Sequence, residues 1–245
     1  MQIIYEDENI IVCHKPAGVA TQSADMRSKD IVSLVKTHLV RQARKNKVRL
    51  SGEPYVGLIH RLDQPVEGIL VLAKDKESAA NLSKQVTGNK IEKHYVAVVE
   101  GAPDDTKEHI IKKVSEDGTV YIEDEIIKNK EGNAQIVTEI SDNDIAVKLS
   151  DAESKKTSKL EYKVIATKDG RSKLDIHLIT GRFHQIRATL SYLGCPIVGD
   201  ARYGAEEKLQ NGTIALCSYR LQFTHPVTNE TMNFVIEPED STFQI

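Results

Sequence analysis

The sequence predicts an α+β protein built on a mostly antiparallel or mixed sheet. Strand patterns clearly outnumber helical ones, and most of the predicted strands are joined as hairpins rather than by helical crossovers. With 245 residues and 40% hydrophobic content, the chain is long enough for one large domain or two small ones with an ample core.

The elements of the first half follow from periodicity and turn residues. "NIIVCHKPAG" predicts a short strand that Pro16 and Gly18 stop. From Ser28 to about Arg44, apolar residues recur at three- and four-residue spacing, which predicts a helix. "GILVLAKD" predicts a buried strand, "KESAANLSKQVTGNK" a helix that ends near Gly88, and "KHYVAVVEG" another strand.

The second half opens with a region of different character. Residues 101–160 hold 14 acidic and 9 basic side chains, and the short β-like pieces "TVYIED" and "DIAVKLS" are separated by polar turns. We interpret this region as a more exposed β part of the molecule. Beyond it, "KLDIHLIT" predicts a strand, "GRFHQIRATLSYLG" a turn and a helix that stops at Gly194, and "IALCSYRLQFTHP" with "MNFVIEP" a hairpin.

Composition and missing motifs exclude several classes of protein. The formal net charge is −3, and the three cysteines form no CxxC pair, which argues against a disulfide scaffold or structural zinc site and fits the cytoplasm. We expect no signal peptide and no membrane span, because no apolar run approaches the roughly 20 residues that a span needs. The motifs GxxxxGK[ST], GxGxxG, HExxH and GxSxG are absent.

Two polar clusters lie beside predicted strands. "HRLDQPVEGILVLAK" places His60, Arg61 and Asp63 directly before an apolar run. "TGRFHQIRATLSYLGCPIVGDARYG" holds four polar side chains within six residues: Arg182, His184, Gln185 and Arg187. Residue types alone favour the simpler interpretation, a surface ion pair and a solvated helix start, because charged clusters at the ends of elements are usually solvated.

Five motifs, in order, nevertheless resemble the RluA-like branch of the pseudouridine synthases. They are "IIVCHKPAGVAT", "HRLD" ahead of its strand, "KHYVAVVEG", Gly181 to Gly204, and "LCSYRLQFTHPVTNE". The resemblance implies the pseudouridine synthase catalytic fold, a long curved sheet flanked by helices and loops, with an active-site cleft across the sheet. We expect residues 1–245 to form one catalytic domain without an N-terminal S4 domain.

The resemblance also implies an activity. Such a protein isomerises uridine in a stem-loop of ribosomal or transfer RNA: the bond from uracil to C1′ breaks, and C5 of the base bonds to C1′ instead. It needs no cofactor and no metal, and we expect a cytoplasmic monomer. One alternative is a non-catalytic RNA-binding or RNA-folding protein on the same scaffold. Another is a metal-dependent hydrolase that uses His60 and Asp63.

The family resemblance assigns roles to individual residues. Asp63 is the catalytic carboxylate, which attacks C1′, stabilises positive charge there or takes a proton from the sugar. Arg187 is its cationic partner, since a guanidinium can hold a carboxylate by two parallel hydrogen bonds. Tyr95 is a catalytic residue whose ring stacks on the flipped uracil and whose hydroxyl takes part in late proton movements, although a core tyrosine is the simpler interpretation. Arg61 fills the vacated space. Three further residues are expected to bind substrate: Arg182, His184 and Gln185.

Two local features remain open. The segment from Arg27 to Arg49 holds eight basic residues and one acidic residue, so it lies along the RNA backbone or forms a solvated face. Its best candidates for phosphate contacts are Arg41, Arg44, Lys45 and Lys47. The family usually has Thr-Ser-Gly where this chain has Val66-Glu67-Gly68. Glu67 therefore either adds negative charge near Asp63 or points outward.

Overall fold

The computed structural model describes residues 1–23, 29–104, 106–107, 110–137 and 155–245, without the side chain of residue 211. These residues form two compact units, Met1–Lys93 with Cys217–Glu239, and His94–Leu216 with Asp240–Ile245. The first unit contains β1 (Gln2–Glu6), β2 (Ile10–Lys15), α1 (Ile31–Lys45), β3 (Gly57–Leu58), β4 (Glu67–Ala73) and α2 (Lys76–Thr87). The second contains most of β5 (Glu92–Glu100), β6 (Ile111–Val114), β7 (Val120–Lys128), β8 (Ala134–Ile136), β9 (Lys156–Lys168), β10 (Arg171–Leu178) and α3 (Gln185–Tyr192). Most of β11 (Leu216–Thr224) and all of β12 (Thr231–Val235) belong to the first unit.

The sheet of the first unit has the order β1-β2-β4-β11, with β12 paired to β11 and β3 to β4. Its pairings are antiparallel except for the parallel contact of β4 with β11. Every residue of β2 and β4 is buried, which explains the continuous apolar runs from Ile10 to Cys13 and from Ile69 to Ala73. The core cluster contains Ile10, Val12, Ile69, Val71, Ala73, Leu82, Ile91, Leu221 and Phe223.

The two helices of the first unit begin at capping aspartates. Asp30 accepts the backbone N–H of Ser33 at 2.7 Å, and the Ser33 hydroxyl accepts the N–H of Asp30 at 3.1 Å. Such a reciprocal pair satisfies two backbone donors and fixes the first turn. Asp75 caps α2 by accepting the backbone N–H of Ser78 at 2.7 Å. The predicted start of α1 at Ser28 was therefore a few residues early.

The sheet of the second unit has the order β5-β10-β9-β7-β6, with β8 paired to β7. All of these pairings are antiparallel. Buried residues alternate with more exposed ones along β10 and in the first half of β7, as expected for strands with one covered face. α3 contributes Ala188 to a cluster with Ile126, Ala134, Ile136 and Tyr203.

The α+β prediction is confirmed. The β11–β12 hairpin forms with Thr224 opposite Thr231, and "TVYIED" lies in β7. "DIAVKLS" falls outside the described residues. β9 extends four residues before Leu160, where the sequence pattern becomes clear. No described helix has the length and apolar character to cross a membrane. The single-domain organisation stays a prediction.

Gly68 is a site where a side chain cannot fit. Its φ is +146°, and an added Cβ would lie 2.7 Å from the backbone N and O of Ser218, its parallel partner on β11. Gly68→Ala should therefore lower the free energy of unfolding by about 2–4 kcal/mol, through overpacking and backbone strain. Urea unfolding measures this loss. Gly170→Ala, at another positive φ with open space around it, is the control, and its free energy of unfolding should fall by less.

Candidate active site

The segment that carries Asp63 is clamped by the loop that follows β2. The Thr21 hydroxyl donates to the carbonyl of Leu62 at 2.7 Å and accepts its N–H at 3.2 Å. The N–H of Gly18 donates to the carbonyl of Gln64 at 2.8 Å, and the Gln64 side chain returns a bond to the carbonyl of Gly18 at 3.1 Å. The backbone is thus fixed on both sides of Asp63, whose side chain is partly buried.

Lys15, the last residue of β2, forms the base of this clamp. Its side chain is fully buried. The ammonium group donates to three backbone carbonyls: those of Pro16 at 3.1 Å, Val19 at 2.7 Å and Gln64 at 3.2 Å. Burial lowers the pKa of Lys15 to about 8, while the negative charges of Asp63 and Glu67 act to raise it. One buried cation therefore ties the two loops together and acts electrostatically on Asp63.

Replacing Lys15 with Met should loosen the clamp. Three backbone carbonyls lose their hydrogen bond to the buried ammonium group, so we expect the free energy of unfolding to fall by about 1–3 kcal/mol and the amide of Gly18 to exchange roughly tenfold faster. Thermal unfolding and hydrogen exchange measure these effects. Lys93→Met, which removes another buried lysine of the same unit, is the matched control. If both variants left Gly18 equally protected, Lys15 would not hold the loop.

Glu67 is buried beside this clamp. Only 5% of the residue is exposed, and Nε2 of His14 donates to its carboxylate at 2.9 Å. The backbone N–H of Glu239 donates to the same oxygen at 3.1 Å. The outward orientation considered for Glu67 is therefore wrong. The chain places a hydrogen-bonded carboxylate where the family usually has a hydroxyl, and this carboxylate acts on Lys15 together with Asp63.

Arg187 lies in α3, in the second unit, with only 5% of its surface exposed. Its Nε donates to Oδ2 of Asp200 at 2.7 Å, and Nη2 donates to Oδ1 at 2.8 Å. This is a bidentate, buried ion pair. The guanidinium carbon also lies 4.7 Å from the ring centroid of Tyr203, within the range of a cation–π contact. Two different contacts therefore fix the plane of the guanidinium.

His184 extends this network. Nη1 of Arg187 lies 3.2 Å from Nε2 of His184, and Nδ1 of His184 lies 2.8 Å from the Tyr203 hydroxyl. Because arginine can only donate, Nε2 must accept and the ring proton must lie on Nδ1. The Tyr203 oxygen then accepts from His184 and from the N–H of Ala134 at 2.8 Å. Burial first, and then the charges of Arg187 and Arg202, lower the pKa of His184 to about 3, so the ring is neutral.

Gln185 holds the turn that precedes α3. Its Oε1 accepts from the Thr180 hydroxyl at 2.9 Å and from the N–H of Arg182 at 3.1 Å, and its Nε2 donates to the carbonyl of Lys159 at 3.0 Å. The exposed guanidinium of Arg182 donates through Nε to the carbonyl of Thr157 at 2.9 Å. These contacts give Gln185 a structural role, and substrate binding by either residue stays a prediction.

Tyr95 and Arg61 differ sharply in exposure. Tyr95 lies on β5 opposite Ile176 and is 6% exposed, as a core tyrosine would be, and its contact with the uracil stays a prediction. Arg61 is exposed.

His60 accepts the N–H of Val71 through Nε2 at 3.4 Å, and burial lowers its pKa to about 3. Since that nitrogen already accepts a backbone hydrogen bond, the geometry gives little support to His60 as a metal ligand.

Four of the predicted RNA contacts lie at or just beyond the end of α1. Arg41, Arg44, Lys45 and Lys47 are all exposed. Sequence reasoning missed Lys15 and His14, which lie beside the Asp63 segment, and Asp200 and Tyr203, which hold Arg187. All four lie inside the family-like motifs, within "CHKP" and "GDARYG". A basic or acidic residue beside a glycine or proline turn was the signal that could have identified Lys15 and Asp200.

Comparison with known proteins gives one consistent result. Residues 9–192 match the family model described as RNA pseudouridylate synthase. An uncharacterized RNA pseudouridine synthase of Bacillus subtilis is 30% identical over 94% of this chain and 66% of its own length. The ribosomal large subunit pseudouridine synthases D of Zymomonas mobilis and C of Rickettsia bellii are 28% and 32% identical, over 98% and 84% of this chain. The chain spans 70% and 57% of their lengths.

Solved structures agree on the fold. Human RNA pseudouridylate synthase domain containing 4 has a TM-score of 0.66 at 22% identity and covers 97% of this chain and 89% of its own. Human RNA pseudouridylate synthase domain containing 1 has a TM-score of 0.64 at 23% identity, with 99% and 85% covered. The family match and the bacterial relatives confirm the RluA-like resemblance, and the chain belongs to the RNA pseudouridylate synthase family.

Proposed function

We propose that this chain is an RNA pseudouridine synthase that isomerises specific uridines, in ribosomal or transfer RNA. The observation that carries the proposal is the family-typical segment around Asp63, whose backbone is fixed on both sides by hydrogen bonds with Thr21, Gly18 and the fully buried Lys15. Ribosomal RNA is favoured as the substrate because two relatives are named ribosomal large subunit pseudouridine synthases. The presence of Asp63, Tyr95 and Arg187 together in the family-like motifs favours the enzyme, because binding alone needs no carboxylate in a site for a polyanion.

In the proposed reaction, Asp63 acts at C1′ of the flipped nucleotide while the N1–C1′ bond breaks. The base turns, C5 bonds to C1′, the proton on C5 leaves, and N1 takes up a proton, so atoms and charge balance without a cofactor. Tyr95 is proposed to contact the uracil ring and Arg61 to occupy the space that the base leaves. Arg182, His184 and Gln185 are proposed to line the substrate site.

Arg187 is proposed to stabilise the ionised form of Asp63. Support comes from the family motif and from the state of its guanidinium, which is buried and oriented by Asp200, Tyr203 and His184. A guanidinium that is already desolvated and fixed loses little freedom when it meets a carboxylate, which is what preorganised electrostatic stabilisation requires.

A tritium-release assay tests the activity. RNA carrying tritium at C5 of uridine should release it to water when incubated with the protein, because the C5 proton is lost only when C5 becomes bonded to C1′. Ribosomal RNA and transfer RNA from cells that lack the protein are the substrates to compare. The absence of release from both would favour the non-catalytic alternative.

The basic residues at the end of α1 are proposed to contact RNA phosphates. Reversing charge at Arg44 and Lys45 should weaken RNA binding and reduce the slope of log affinity against log salt by about one for each phosphate that the variant no longer neutralises. Fluorescence anisotropy over a salt titration measures both. Lys84→Glu with Lys90→Glu, at the exposed end of α2, makes the same change in net charge and should leave the slope unchanged. If the wild type, the Arg44/Lys45 variant and the Lys84/Lys90 variant all gave the same slope of log affinity against log salt, Arg44 and Lys45 would not contact RNA phosphates.

A further inference from the structure

A separate concavity of ≈ 310 Å³ lies within the first unit. One side of it comes from α1 and the residue that follows, through side chains spaced three and four apart: Leu39, Gln42, Ala43 and Asn46. The return segment supplies Val48, Leu50 and Tyr55. We call this concavity the α1 pocket. Its volume is at the low end of the roughly 300–1,000 Å³ typical of small-molecule sites, which suits one planar ring system.

The α1 pocket is shaped by the reversal of the chain after α1. Lys47 takes a left-handed conformation with φ of 58°, and the N–H of Val48 donates to the carbonyl of Ala43 at 2.8 Å. Tyr55 packs against Gly57, where an added Cβ would lie 3.0 Å from the Tyr55 hydroxyl and 3.1 Å from its ring. The ring is therefore placed by its neighbours, although Tyr55 is still 41% exposed.

The polar groups of the α1 pocket are also held in place. Glu6 accepts from Nε2 of Gln42 at 3.0 Å, from His38 at 2.8 Å and from the ammonium group of Lys74 at 2.9 Å. Burial alone would raise the pKa of Glu6, but the hydrogen bonds from Lys74 and His38 lower it, so the carboxylate stays ionised. The Gln42 amide is fixed at the wall, where a ligand's hydrogen-bonding edge would meet it.

The segment from Lys36 to Tyr55, which supplies most of the lining of the α1 pocket, is strongly basic, and Glu8 and Lys74 also line the pocket. From Lys36 to Tyr55 the chain has six basic residues and one acidic residue, Glu53, which lies 3.0 Å from the ammonium group of Lys36. Lys45, Lys47 and Arg49 are exposed beside apolar Val48 and Leu50, which are 57% and 40% exposed. Exposed apolar and aromatic side chains among cations of one sign are typical of sites for unstacked RNA, where bases stack and phosphates meet lysine and arginine.

We propose that the α1 pocket binds one unpaired base of the RNA, other than the uridine that is isomerised. Tyr55 supplies the stacking face, Gln42 and Asn46 face the base edge, and the cations at the end of α1 meet the neighbouring phosphates. This inference rests on the proposed function, because it takes RNA as the substrate. It gives the basic segment a way to recognise unpaired nucleotides as well as negative charge.

Heptauridylate binding and photocrosslinking test the α1 pocket. Tyr55→Ala should weaken binding of this heptamer about 5- to 150-fold, the range for removing one base stack. Tyr55→Phe keeps the ring and should bind within about twofold of wild type, whereas Tyr55→Leu keeps apolar volume without an aromatic face and should follow the alanine variant. The salt slope should not change in any of them, because no charge is altered. A heptamer containing 5-iodouridine should crosslink to the Tyr55 peptide.

The results of these experiments distinguish a failure of the α1 pocket proposal from a failure of the proposed activity. Thermal unfolding first establishes that the three Tyr55 variants fold as wild type does. If the protein releases tritium from RNA but Tyr55→Ala and Tyr55→Leu bind heptauridylate as wild type does, with no crosslink at Tyr55, the pocket proposal is overturned and the activity stands. If wild type binds no heptauridylate, the pocket proposal is overturned whatever the tritium result. Weaker binding in the alanine and leucine variants, retention in the phenylalanine variant and a crosslink at Tyr55 support it.

Discussion

Asp63→Asn should abolish tritium release while leaving RNA binding close to wild type. The amide keeps the size of the side chain, and the backbone clamp around it uses Thr21, Gly18 and Lys15 rather than the carboxylate. What is lost is the negative charge, which every route considered for Asp63 requires. We expect turnover to fall by at least about 100-fold, the low end for a group that acts directly in the transition state.

A matched control makes this result specific. Asp75→Asn is the same chemical change at the N-cap of α2 in the same unit, where asparagine caps nearly as well as aspartate, and it should keep wild-type turnover. RNA affinity is measured by filter binding in parallel. An Asp63→Asn protein that still releases tritium at the wild-type rate would show that another group does the chemistry. One that no longer binds RNA would indicate a role in binding.

The candidate site shows which parts of a structure a sequence can predict. Asp63 and Arg187 could be proposed as site residues from the sequence because each lies in a motif with several fixed neighbours. The contacts that hold them were not, since Lys15 meets Gln64 across 49 positions and Arg187 meets Asp200 across 13. A pattern of residue types gives no distance between elements, so the partner of a buried charge becomes known only when the strands and helices are packed.

The secondary structure, too, could be predicted from the sequence only in part. β2 and β4 were predictable because burial on both faces leaves a run of apolar residues that little else produces. The first residues of β9 are exposed, and they follow a polar stretch without periodicity, so their place in the sheet depends on pairing with β7 rather than on a local signal. Glu67 is a related case, because a carboxylate at a strand start gives no sign that His14 will meet it.

Asp200→Asn should cause one of the largest losses of stability available in the second unit. Asp200 is 2% exposed and holds the guanidinium of Arg187 by two hydrogen bonds. Removing the charge of Asp200 leaves the buried Arg187 cation without its counter-charge, which costs about 3–5 kcal/mol of unfolding free energy. Circular dichroism during urea unfolding measures the loss, since the chain has no tryptophan.

The double variant Arg187→Met with Asp200→Leu separates stability from chemistry. Replacing both members of a buried ion pair by apolar side chains of similar volume is often close to neutral, so the double variant should recover at least half of the stability that Asp200→Asn loses. It should still fail to release tritium, because the cation proposed to stabilise Asp63 is gone. Recovery of both stability and turnover would show that Arg187 serves the fold alone, and a loss below about 1 kcal/mol in Asp200→Asn would contradict the buried pair itself.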